Sequence, residues 1–317
     1  MQAVFLDYAS LDQNDLDFTA LAAQFSQWQT YSRTDARDVL ARIQHADVVI
    51  SNKVLLDAAT LQQCPQLKLI LISATGTNNV DLAQAKAQGI VVCNCQGYGT
   101  SAVAQHTLML MLNLATSFVQ YDRAVQQGQW QKATQFCLLD FPIIELSAKT
   151  LGIVGYGELG QAVAKLAEAF GMRVLVAALP NRSSAASRVA FHELLPQVDF
   201  LTLHCPLTEQ TQNLIDATAL AAMKPSAFLI NCARGGIVHE ADLAHALITG
   251  EIAGAAMDVL SIEPPKQGNV LLDARIPNLI ITPHSAWGSV DARQRIVQQM
   301  LENVQAFQQG MPIRQVN

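Results

Sequence analysis

Three side chains that could carry acid–base chemistry and bind a carboxylate occur late in the sequence, each beyond an apolar run. Arg234 precedes two glycines, which would let the backbone turn and leave the guanidinium accessible. A planar guanidinium is suited to bidentate binding of a carboxylate. Glu263 and His284 follow further apolar runs, and a carboxylate beside an imidazole favours the protonated ring, a proton donor near neutral pH. The combination predicts proton transfer to a small substrate that bears a carboxylate.

A glycine-rich turn stands between the apolar run Thr150–Val154 and a helical pattern that ends at Gly171. Its six residues, Gly155-Tyr156-Gly157-Glu158-Leu159-Gly160, have the spacing GxGxxG. The first glycine permits a tight turn, the second lets a pyrophosphate approach the backbone, and the third lets the helix pack on the strand. The helix N-terminus supplies amide donors to the phosphates. The pattern predicts a dinucleotide-binding turn, with an ordinary glycine-rich turn of an α/β protein as the alternative.

Composition narrows the class of protein. The chain has 317 residues, of which 50% are hydrophobic and 15% charged, so we expect two domains with much buried surface. A net charge of −6 argues against nucleic acid or an acidic membrane as the partner. The N-terminus lacks a signal-peptide pattern, and no apolar run is long enough to span a bilayer. The six cysteines lack zinc-site spacing, so we expect reduced thiols, a cytoplasmic location and no metal.

The chain alternates between apolar runs of strand length and helical patterns, which predicts parallel, doubly wound α/β sheets. We expect one such unit to about residue 98 and a second after the glycine motif, joined by one long helix over about 101–128. Thr34 is expected to cap a helix that continues to about Gln44. The last helix, over about 290–309, is expected to return to the first unit. The predicted domains are therefore 1–98 with 290–317, and 99–289.

Ligands of such sheets bind beyond the carboxyl ends of the strands, so we expect the site in the crevice between the two domains. His106, in the middle of the long helix among leucines, is expected to be a structural histidine. Each polar residue at a strand end could instead be an ordinary surface or core residue. These residues are Asn52 and Lys53, the loops 74–79 and 97–100, His204, Arg234, Asp258, Glu263 and His284.

Four of these motifs occur in the order found in a known family. They are GxGxxG at 155–160, Asn231-Cys232-Ala233-Arg234-Gly235, Asp258 followed by Glu263-Pro264, and Thr282-Pro283-His284. Together they resemble the successive signatures of the D-isomer-specific 2-hydroxyacid dehydrogenases, over nearly the whole chain. The resemblance implies a Rossmann nucleotide-binding domain and a flavodoxin-like substrate domain built from both chain ends. It also implies a homodimer, and the catalytic residues Arg234, Glu263 and His284.

Within that family the chain is most similar to the glycerate dehydrogenase branch, the hydroxypyruvate or glyoxylate reductases. Ser51-Asn52-Lys53-Val54, Tyr98-Gly99-Thr100 and Trp287 carry this likeness. The resemblance implies the interconversion of a small 2-keto acid and its D-2-hydroxy acid, D-glycerate or glycolate. Two alternatives stay open. One is another D-2-hydroxyacid dehydrogenase, of the short phosphoglycerate or D-lactate type, and the other is a dinucleotide-sensing, corepressor-like binding protein.

The predicted cofactor is NAD(P). An Asp or Glu that binds the ribose 2′-hydroxyl of NAD is expected about 20 residues after the glycines, but Ala178 occupies that place. NADP(H) is therefore favoured over NAD(H), with use of either as the alternative. Substrate contacts are expected from Asn52, Lys53, Ala74, Thr75, Gly76, Arg234 and His284. Cofactor contacts are expected from Gly155, Tyr156, Gly157, Glu158, Leu159, Gly160, Asn181, Arg182, His204, Cys205, Pro206, Cys232 and Asp258.

Overall fold

The computed structural model describes residues 1–178 and 188–317. These divide into two compact units, one made of Met1–Gly99 with Gly288–Asn317 and the other of Thr100–Trp287. Each unit has its own parallel sheet.

Five parallel strands form the sheet of the first unit. They are β1 (Gln2–Phe5), β2 (Gln27–Thr30), β3 (Val48–Ser51), β4 (Leu69–Ile72) and β5 (Val91–Cys93). Their order across the sheet, β2-β1-β3-β4-β5, is the flavodoxin-like order. Strands β3 and β4 are wholly buried, as expected of central strands covered on both faces. The connecting helices are α1 (Thr19–Ala22), α2 (Val39–Ile43), α3 (Ala58–Gln62) and α4 (Leu82–Ala87), with 3₁₀ turns at Tyr8–Ser10 and Ala36–Asp38.

The helix expected directly after Thr34 begins later in the chain. A 3₁₀ turn leads into α2 at Val39, and neither element has a side-chain cap at its start. The Thr34 hydroxyl instead donates to the carbonyl oxygen of Leu6, while Nη1 of Arg42 donates to the same hydroxyl oxygen at 2.6 Å. The prediction of Thr34 as a helix cap was therefore wrong, because a contact with a distant part of the chain takes up its hydroxyl group.

Seven parallel strands form the sheet of the second unit. They are β6 (Thr150–Val154), β7 (Arg173–Ala178), β8 (Val189–Ala190), β9 (Phe200–Leu203), β10 (Phe228–Asn231), β11 (Gly254–Met257) and β12 (Leu279–Ile281). Their order is β12-β11-β10-β9-β6-β7-β8, so the direction of winding reverses between β6 and β9, as at the switch point of a Rossmann fold. The short strand β8 was not predicted from the sequence.

The helices of this unit are α5 (Thr100–Thr116), α6 (Phe118–Gln126), α7 (Glu158–Ala169), α8 (Phe191–Leu194), α9 (Ala217–Ala221) and α10 (Glu240–Thr249), with 3₁₀ turns at Trp130–Lys132, Leu195–Gln197 and Val270–Leu272. Apolar side chains fill both faces of the sheet. Leu151, Ile153 and Phe200 pack in a cluster with residues of α5 and α7. Leu201 and Leu229 belong to a second cluster with residues of α9 and α10. The strand ends that carry polar residues are thus anchored in packed layers.

The single helix expected over 101–128 is in fact two helices, α5 and α6, with a bend of 64° between them. Ser117 at the break has a φ of +49°, and its hydroxyl donates to the carbonyl oxygen of Pro142 at 2.7 Å. The prediction was wrong because a long-range hydrogen bond stabilises a left-handed residue inside a helical pattern. Among the described helices, none by itself has the length and apolar character to cross a membrane, although α5 and α6 taken together pass that test.

The last helix, α11 (Val290–Gln308), belongs to the first unit. The hydroxyl of Ser289 caps it by accepting from the amide of Ala292 at 3.2 Å. Its buried face contains Ala292, Ile296 and Met300, at helical spacing. Arg293 on this face donates from Nη2 to Oδ2 of Asp15 at 2.6 Å and from Nη1 to the carbonyl oxygen of Leu11 at 2.9 Å. The two ends of the chain therefore form one packed unit.

Candidate active site

The polar residues of the second unit meet because neighbouring strands end in register. Leu203 of β9 pairs with Val154 of β6 on one side and with Asn231 of β10 on the other. Asn231 pairs in turn with Met257 of β11, which pairs with Ile281 of β12. The residues that follow these strands therefore lie in one row along the carboxyl edge of the sheet. They are Gly155, His204, Cys232, Asp258 and Thr282.

The glycine turn after β6 has the space that a dinucleotide needs. Gly155 has a φ of +97°, and a Cβ there would lie 2.6 Å from the backbone of His204. A Cβ at Gly160 would lie 2.2 Å from the carbonyl oxygen of Gly155, whereas one at Gly157 would meet no atom of the described residues within 4 Å. Gly157 precedes α7 without a side-chain cap, so the first amides of that helix are available to an anion. The turn fits a pyrophosphate group.

The three residues of the glycine motif that are not glycines, Tyr156, Glu158 and Leu159, contact other residues of the second unit. Tyr156 and Leu159 are partly buried and pack against the apolar cluster shared with α5 and α7. Glu158 is the first residue of α7, and its Oε1 accepts from the hydroxyl of Thr100 at 2.6 Å. The cofactor contacts expected of these three residues stay predictions. Asn181 and Arg182 lie outside the described residues.

His204 is a neutral histidine at the end of β9. Burial lowers the pKa of its imidazole to about 4. Its Nε2 lies 3.0 Å from the hydroxyl of Thr202, while its buried Nδ1 atom makes no hydrogen bond within residues 1–178 and 188–317. Pro206, two residues further on, is exposed, and Cys205 is buried. The row also contains Cys232, whose pKa burial raises to about 12, so its thiol is protonated at neutral pH.

Arg234 lies on a loop that its neighbours hold in a fixed shape. Asn231 at the end of β10 accepts from the amide of Ala233 at 3.0 Å and donates to the carbonyl oxygen of Arg234 at 3.0 Å. A Cβ at Gly235 would lie 1.8 Å from the carbonyl oxygen of Leu260, so only glycine lets this loop approach the segment that carries Glu263. The Arg234 side chain is exposed, and one of its nitrogens donates to the carbonyl oxygen of Ala233 at 2.7 Å.

Glu263 and His284 form a hydrogen-bonded pair. The distance from Nδ1 of His284 to Oε2 of Glu263 is 2.6 Å, and about a third of each side chain is exposed, 33% for His284 and 34% for Glu263. The other carboxylate oxygen, Oε1, accepts from the amide of Leu260 at 2.9 Å. Because Nδ1 of His284 contacts Glu263, a proton exchanged with a bound molecule would have to pass through Nε2.

Asp258 connects the end of β11 to the turn that contains His284. Its carboxylate is 1% exposed and accepts from the hydroxyl of Thr282 at 2.6 Å and from the amides of Ser285 and Ala286 at 2.9 and 3.1 Å. Its carbonyl oxygen accepts from the amide of His284 at 2.7 Å. The carboxylate thus has three donors among residues 1–178 and 188–317, and the cofactor contact expected of Asp258 stays a prediction.

The residues expected to bind substrate in the first unit follow β3 and β4. The amides of Asn52 and Lys53 donate to the carboxylate of Asp7 at 2.9 and 2.7 Å. The loop after β4 contains Ala74, which is buried, with Thr75 and Gly76. The Thr75 hydroxyl donates to the carbonyl oxygen of Cys95 at 2.9 Å, so the segment after β5 supports this loop.

Two contacts near these strand ends, made by Asp7 and by His106, were not predicted from the sequence. Burial raises the pKa of Asp7, although the amides of Asn52, Lys53 and Val54 lower it; the sequence signal was an Asp directly after an apolar strand. His106 was expected to be a structural histidine, and its Nε2 lies 3.1 Å from the hydroxyl of Thr282, a contact that agrees with that expectation. No local pattern could have indicated that contact, because the two residues are 176 positions apart.

A dinucleotide-binding sheet with an acid–base pair and an arginine at its carboxyl edge defines a class of oxidoreductase, and comparisons with known proteins agree. Residues 108–286 match the family model described as "D-isomer specific 2-hydroxyacid dehydrogenase, NAD binding domain". The chain is 45% identical over 311 residues to a glycerate dehydrogenase of Methylorubrum extorquens, covering 98% of this chain and 97% of the relative. It is 37% identical over 325 residues to a hydroxypyruvate reductase of Blautia hydrogenotrophica, covering 100% of both.

The solved structures include a similar enzyme with bound ligands. An NADPH-dependent glyoxylate/hydroxypyruvate reductase from Sinorhizobium meliloti, in complex with NADP and malonate, superposes with a TM-score of 0.82 and 28% identity, covering 99% of this chain and 96% of that one. The chain belongs to the D-isomer-specific 2-hydroxyacid dehydrogenase family. It is therefore an oxidoreductase of NAD(P)-dependent type that acts on a CH–OH group.

Proposed function

We propose that this enzyme reduces hydroxypyruvate or glyoxylate with a nicotinamide cofactor, giving D-glycerate or glycolate. The observation that carries the proposal is the pair formed by His284 and Glu263, whose Nδ1 and Oε2 atoms are 2.6 Å apart. Glu263 follows strand β11 and His284 follows strand β12, so both lie beyond carboxyl ends of the sheet that also carries the glycine turn. Such a pair supplies the proton that a carbonyl needs when it becomes a hydroxyl group. Two relatives described above, a glycerate dehydrogenase and a hydroxypyruvate reductase, support this substrate class.

Each residue has a separate part in the reaction that we propose. When bound, the reduced nicotinamide supplies the hydride that reaches C2 of the keto acid. His284 gives the proton on Nε2 to the carbonyl oxygen, and Glu263 holds the ring through Nδ1. Arg234 binds the carboxylate and stabilises the negative charge that develops on the oxygen. The substrate contacts expected of Asn52, Lys53, Ala74, Thr75 and Gly76 remain predictions.

The cofactor would bind at the glycine turn. Gly157 leaves room for the pyrophosphate, and the uncapped start of α7 supplies amide donors. We further propose NADPH as the preferred form. Strand β7 ends at Ala178, where a carboxylate that would repel a 2′-phosphate is expected in NAD-specific enzymes. The S. meliloti relative, whose structure contains NADP, supports this choice.

A panel of keto acids tests the proposal. Purified enzyme should oxidise NADPH with hydroxypyruvate or glyoxylate, and kcat/KM for hydroxypyruvate should exceed that for phenylpyruvate by about tenfold or more, the size of one well-placed polar contact. The product from hydroxypyruvate should be the D isomer of glycerate. A higher kcat/KM for phenylpyruvate would contradict the substrate choice. A failure to reduce any 2-keto acid would refute the catalytic proposal and favour a binding protein.

We propose that the enzyme is a homodimer whose contact surface includes residues 118–143. This segment exposes large apolar side chains, among them Phe136 and Leu139 at 90% and 78% exposure. A concentration of exposed apolar groups is typical of subunit interfaces. Phe136→Ser with Leu139→Ser should reduce the mass measured by light scattering to that of one chain. Ile248→Ser, at an apolar residue of 62% exposure on α10, should not, and an unchanged mass in the double variant would rule this surface out.

We also infer a cytoplasmic location. None of the six cysteines forms a disulfide bond, which is typical of proteins in a reducing compartment. Fractionation of cells that express a tagged chain at natural level would test this, with recovery in an oxidising compartment as the contrary result.

A further inference from the structure

The side chain of His106 reaches the turn of His284 from the middle of α5. Its Nε2 atom lies 3.1 Å from the hydroxyl oxygen of Thr282, and this oxygen lies 2.6 Å from Oδ1 of Asp258. All of these residues belong to the second unit. The contacts are shielded from solvent, because the His106 side chain is 15% exposed and that of Asp258 is 1% exposed.

The hydrogen bonds fix which nitrogen of His106 carries the proton. A carboxylate can only accept, so the single hydroxyl proton of Thr282 points toward Asp258. The hydroxyl oxygen can then only accept from Nε2 of His106. Burial lowers the pKa of His106, although the negative charge of Asp258 opposes this, so the ring is neutral at neutral pH. The neutral ring therefore has its proton on Nε2 and none on Nδ1.

The same network holds the backbone on both sides of His284. Thr282 precedes His284, while Ser285 and Ala286 follow it and donate their amides to Asp258 at 2.9 and 3.1 Å. His284 itself has a φ of +51°, which is unusual for a residue other than glycine. A residue in this region persists only when its surroundings fix it. Asp258 does so through three donors of one turn, and His106 contacts the first of them.

We propose that His106 is a positioning residue for proton transfer. By donating to the Thr282 hydroxyl it strengthens the hydrogen bond from that hydroxyl to Asp258, since hydrogen bonds in a chain polarise one another. The turn then stays in the conformation in which His284 pairs with Glu263. This role rests on the proposed function, because it assigns to His106 an effect on a proton that His284 delivers.

Variants of Thr282 and His106 that keep or remove the hydrogen bond distinguish a positioning role from a role in packing alone. Thr282→Val keeps the side-chain shape and removes the hydroxyl, so kcat should fall about tenfold, the effect of one lost buried hydrogen bond. Thr282→Ser should restore kcat to within about threefold of wild type. His106→Leu should lower kcat about as much as Thr282→Val, whereas His106→Gln, which retains a donor at a similar position, should recover most of the activity. Equal losses in the conservative and disruptive variants would overturn the proposal.

A double variant tests whether His106 acts through Thr282. If it does, His106→Leu should cause no further loss of kcat in a Thr282→Val enzyme, because the link is already broken. Multiplied losses would contradict the inference. Thr116→Val is the matched control on α5, since its hydroxyl donates to the carbonyl oxygen of Leu112 within the same helix at 2.8 Å. Its kcat should equal that of the wild type.

A measurement without turnover keeps this inference separate from the proposed function. Nuclear magnetic resonance of the full chain with isotope-labelled histidine reports the tautomer of His106, assigned by its loss in His106→Leu. The signal should show the proton on Nε2, and Thr282→Val should change it. A proton on Nδ1 would overturn the inference even in an active enzyme. An enzyme inactive with every keto acid would refute the proposed function, while the tautomer would still decide the contact.

Discussion

Nδ1 of His284 lies 2.6 Å from Oε2 of Glu263, and this contact joins two loops that follow different strands. Glu263 is held in turn by the amide of Leu260, and the backbone of His284 by the carbonyl oxygen of Asp258. The imidazole therefore has one nitrogen fixed and one nitrogen available. That division of roles is what a proton donor to a carbonyl oxygen requires.

Removal of the imidazole should abolish the proton donor. His284→Ala should lower kcat by a factor on the order of 10² to 10⁴ with nucleotide binding retained. Because residue 284 has a φ of +51°, alanine there adds backbone strain, whereas asparagine tolerates this region. His284→Asn should therefore lose as much kcat as His284→Ala and keep a higher melting temperature. Near-normal turnover in His284→Asn would show that His284 is not the donor.

Replacement of the carboxylate should loosen the hold on the imidazole. Oε2 of Glu263 lies 2.6 Å from Nδ1 of His284, and Oε1 accepts from the amide of Leu260 at 2.9 Å, whereas a glutamine side chain has one acceptor oxygen in place of two. Glu263→Gln should therefore lose one of the two contacts and lower kcat for reduction about tenfold. Glu240→Gln is the control, because Glu240 supports the same loop through the amide of Ser261 at 2.7 Å. A kcat for Glu263→Gln equal to that of wild type would remove Glu263 from the pair.

The glycines of the turn should differ in what they control. A Cβ at Gly157 meets no atom within 4 Å in the part of the chain that the structure describes. Gly157→Ala should therefore keep its melting temperature and weaken nucleotide binding about tenfold or more, by intruding where a pyrophosphate approaches. A Cβ at Gly160 would lie 2.2 Å from the carbonyl oxygen of Gly155. Gly160→Ala should therefore lower the free energy of unfolding by about 1–3 kcal/mol. Calorimetric titration and thermal melts distinguish the two effects, and unchanged nucleotide affinity in Gly157→Ala would contradict the assignment.

The local sequence pattern was enough to predict the central strands, but it could not predict contacts between residues that are distant in sequence. The bounds of the apolar run Thr150–Val154 agree with strand β6, because buried parallel strands are continuous apolar runs between turns. The break at Ser117 was missed because its hydrogen bond to Pro142 joins residues 25 positions apart. The site shows the same limit. The pairing of Glu263 with His284 was predicted from residue types, whereas the link from His106 to Thr282 depends on how α5 packs against the sheet.

The choice between nicotinamide cofactors should depend on the segment after β7. That strand ends at Ala178, and the sequence has no carboxylate from there to Glu193, while Arg182 and its neighbours Asn181, Ser183 and Ser184 offer a cation and hydrogen-bonding groups. The positive charge of Arg182 would attract a 2′-phosphate, and the sequence of this segment has no carboxylate to repel it. We therefore expect wild type to prefer NADPH.

Arg182→Ala should raise KM for NADPH by roughly tenfold or more, the scale of a lost charge-assisted contact, and leave KM for NADH almost unchanged. Arg188→Ala provides the matched control, because it removes a cation from the same segment and should alter neither KM. A wild-type preference for NADH, or equal weakening of both cofactors in Arg182→Ala, would show that Arg182 does not bind the 2′-phosphate.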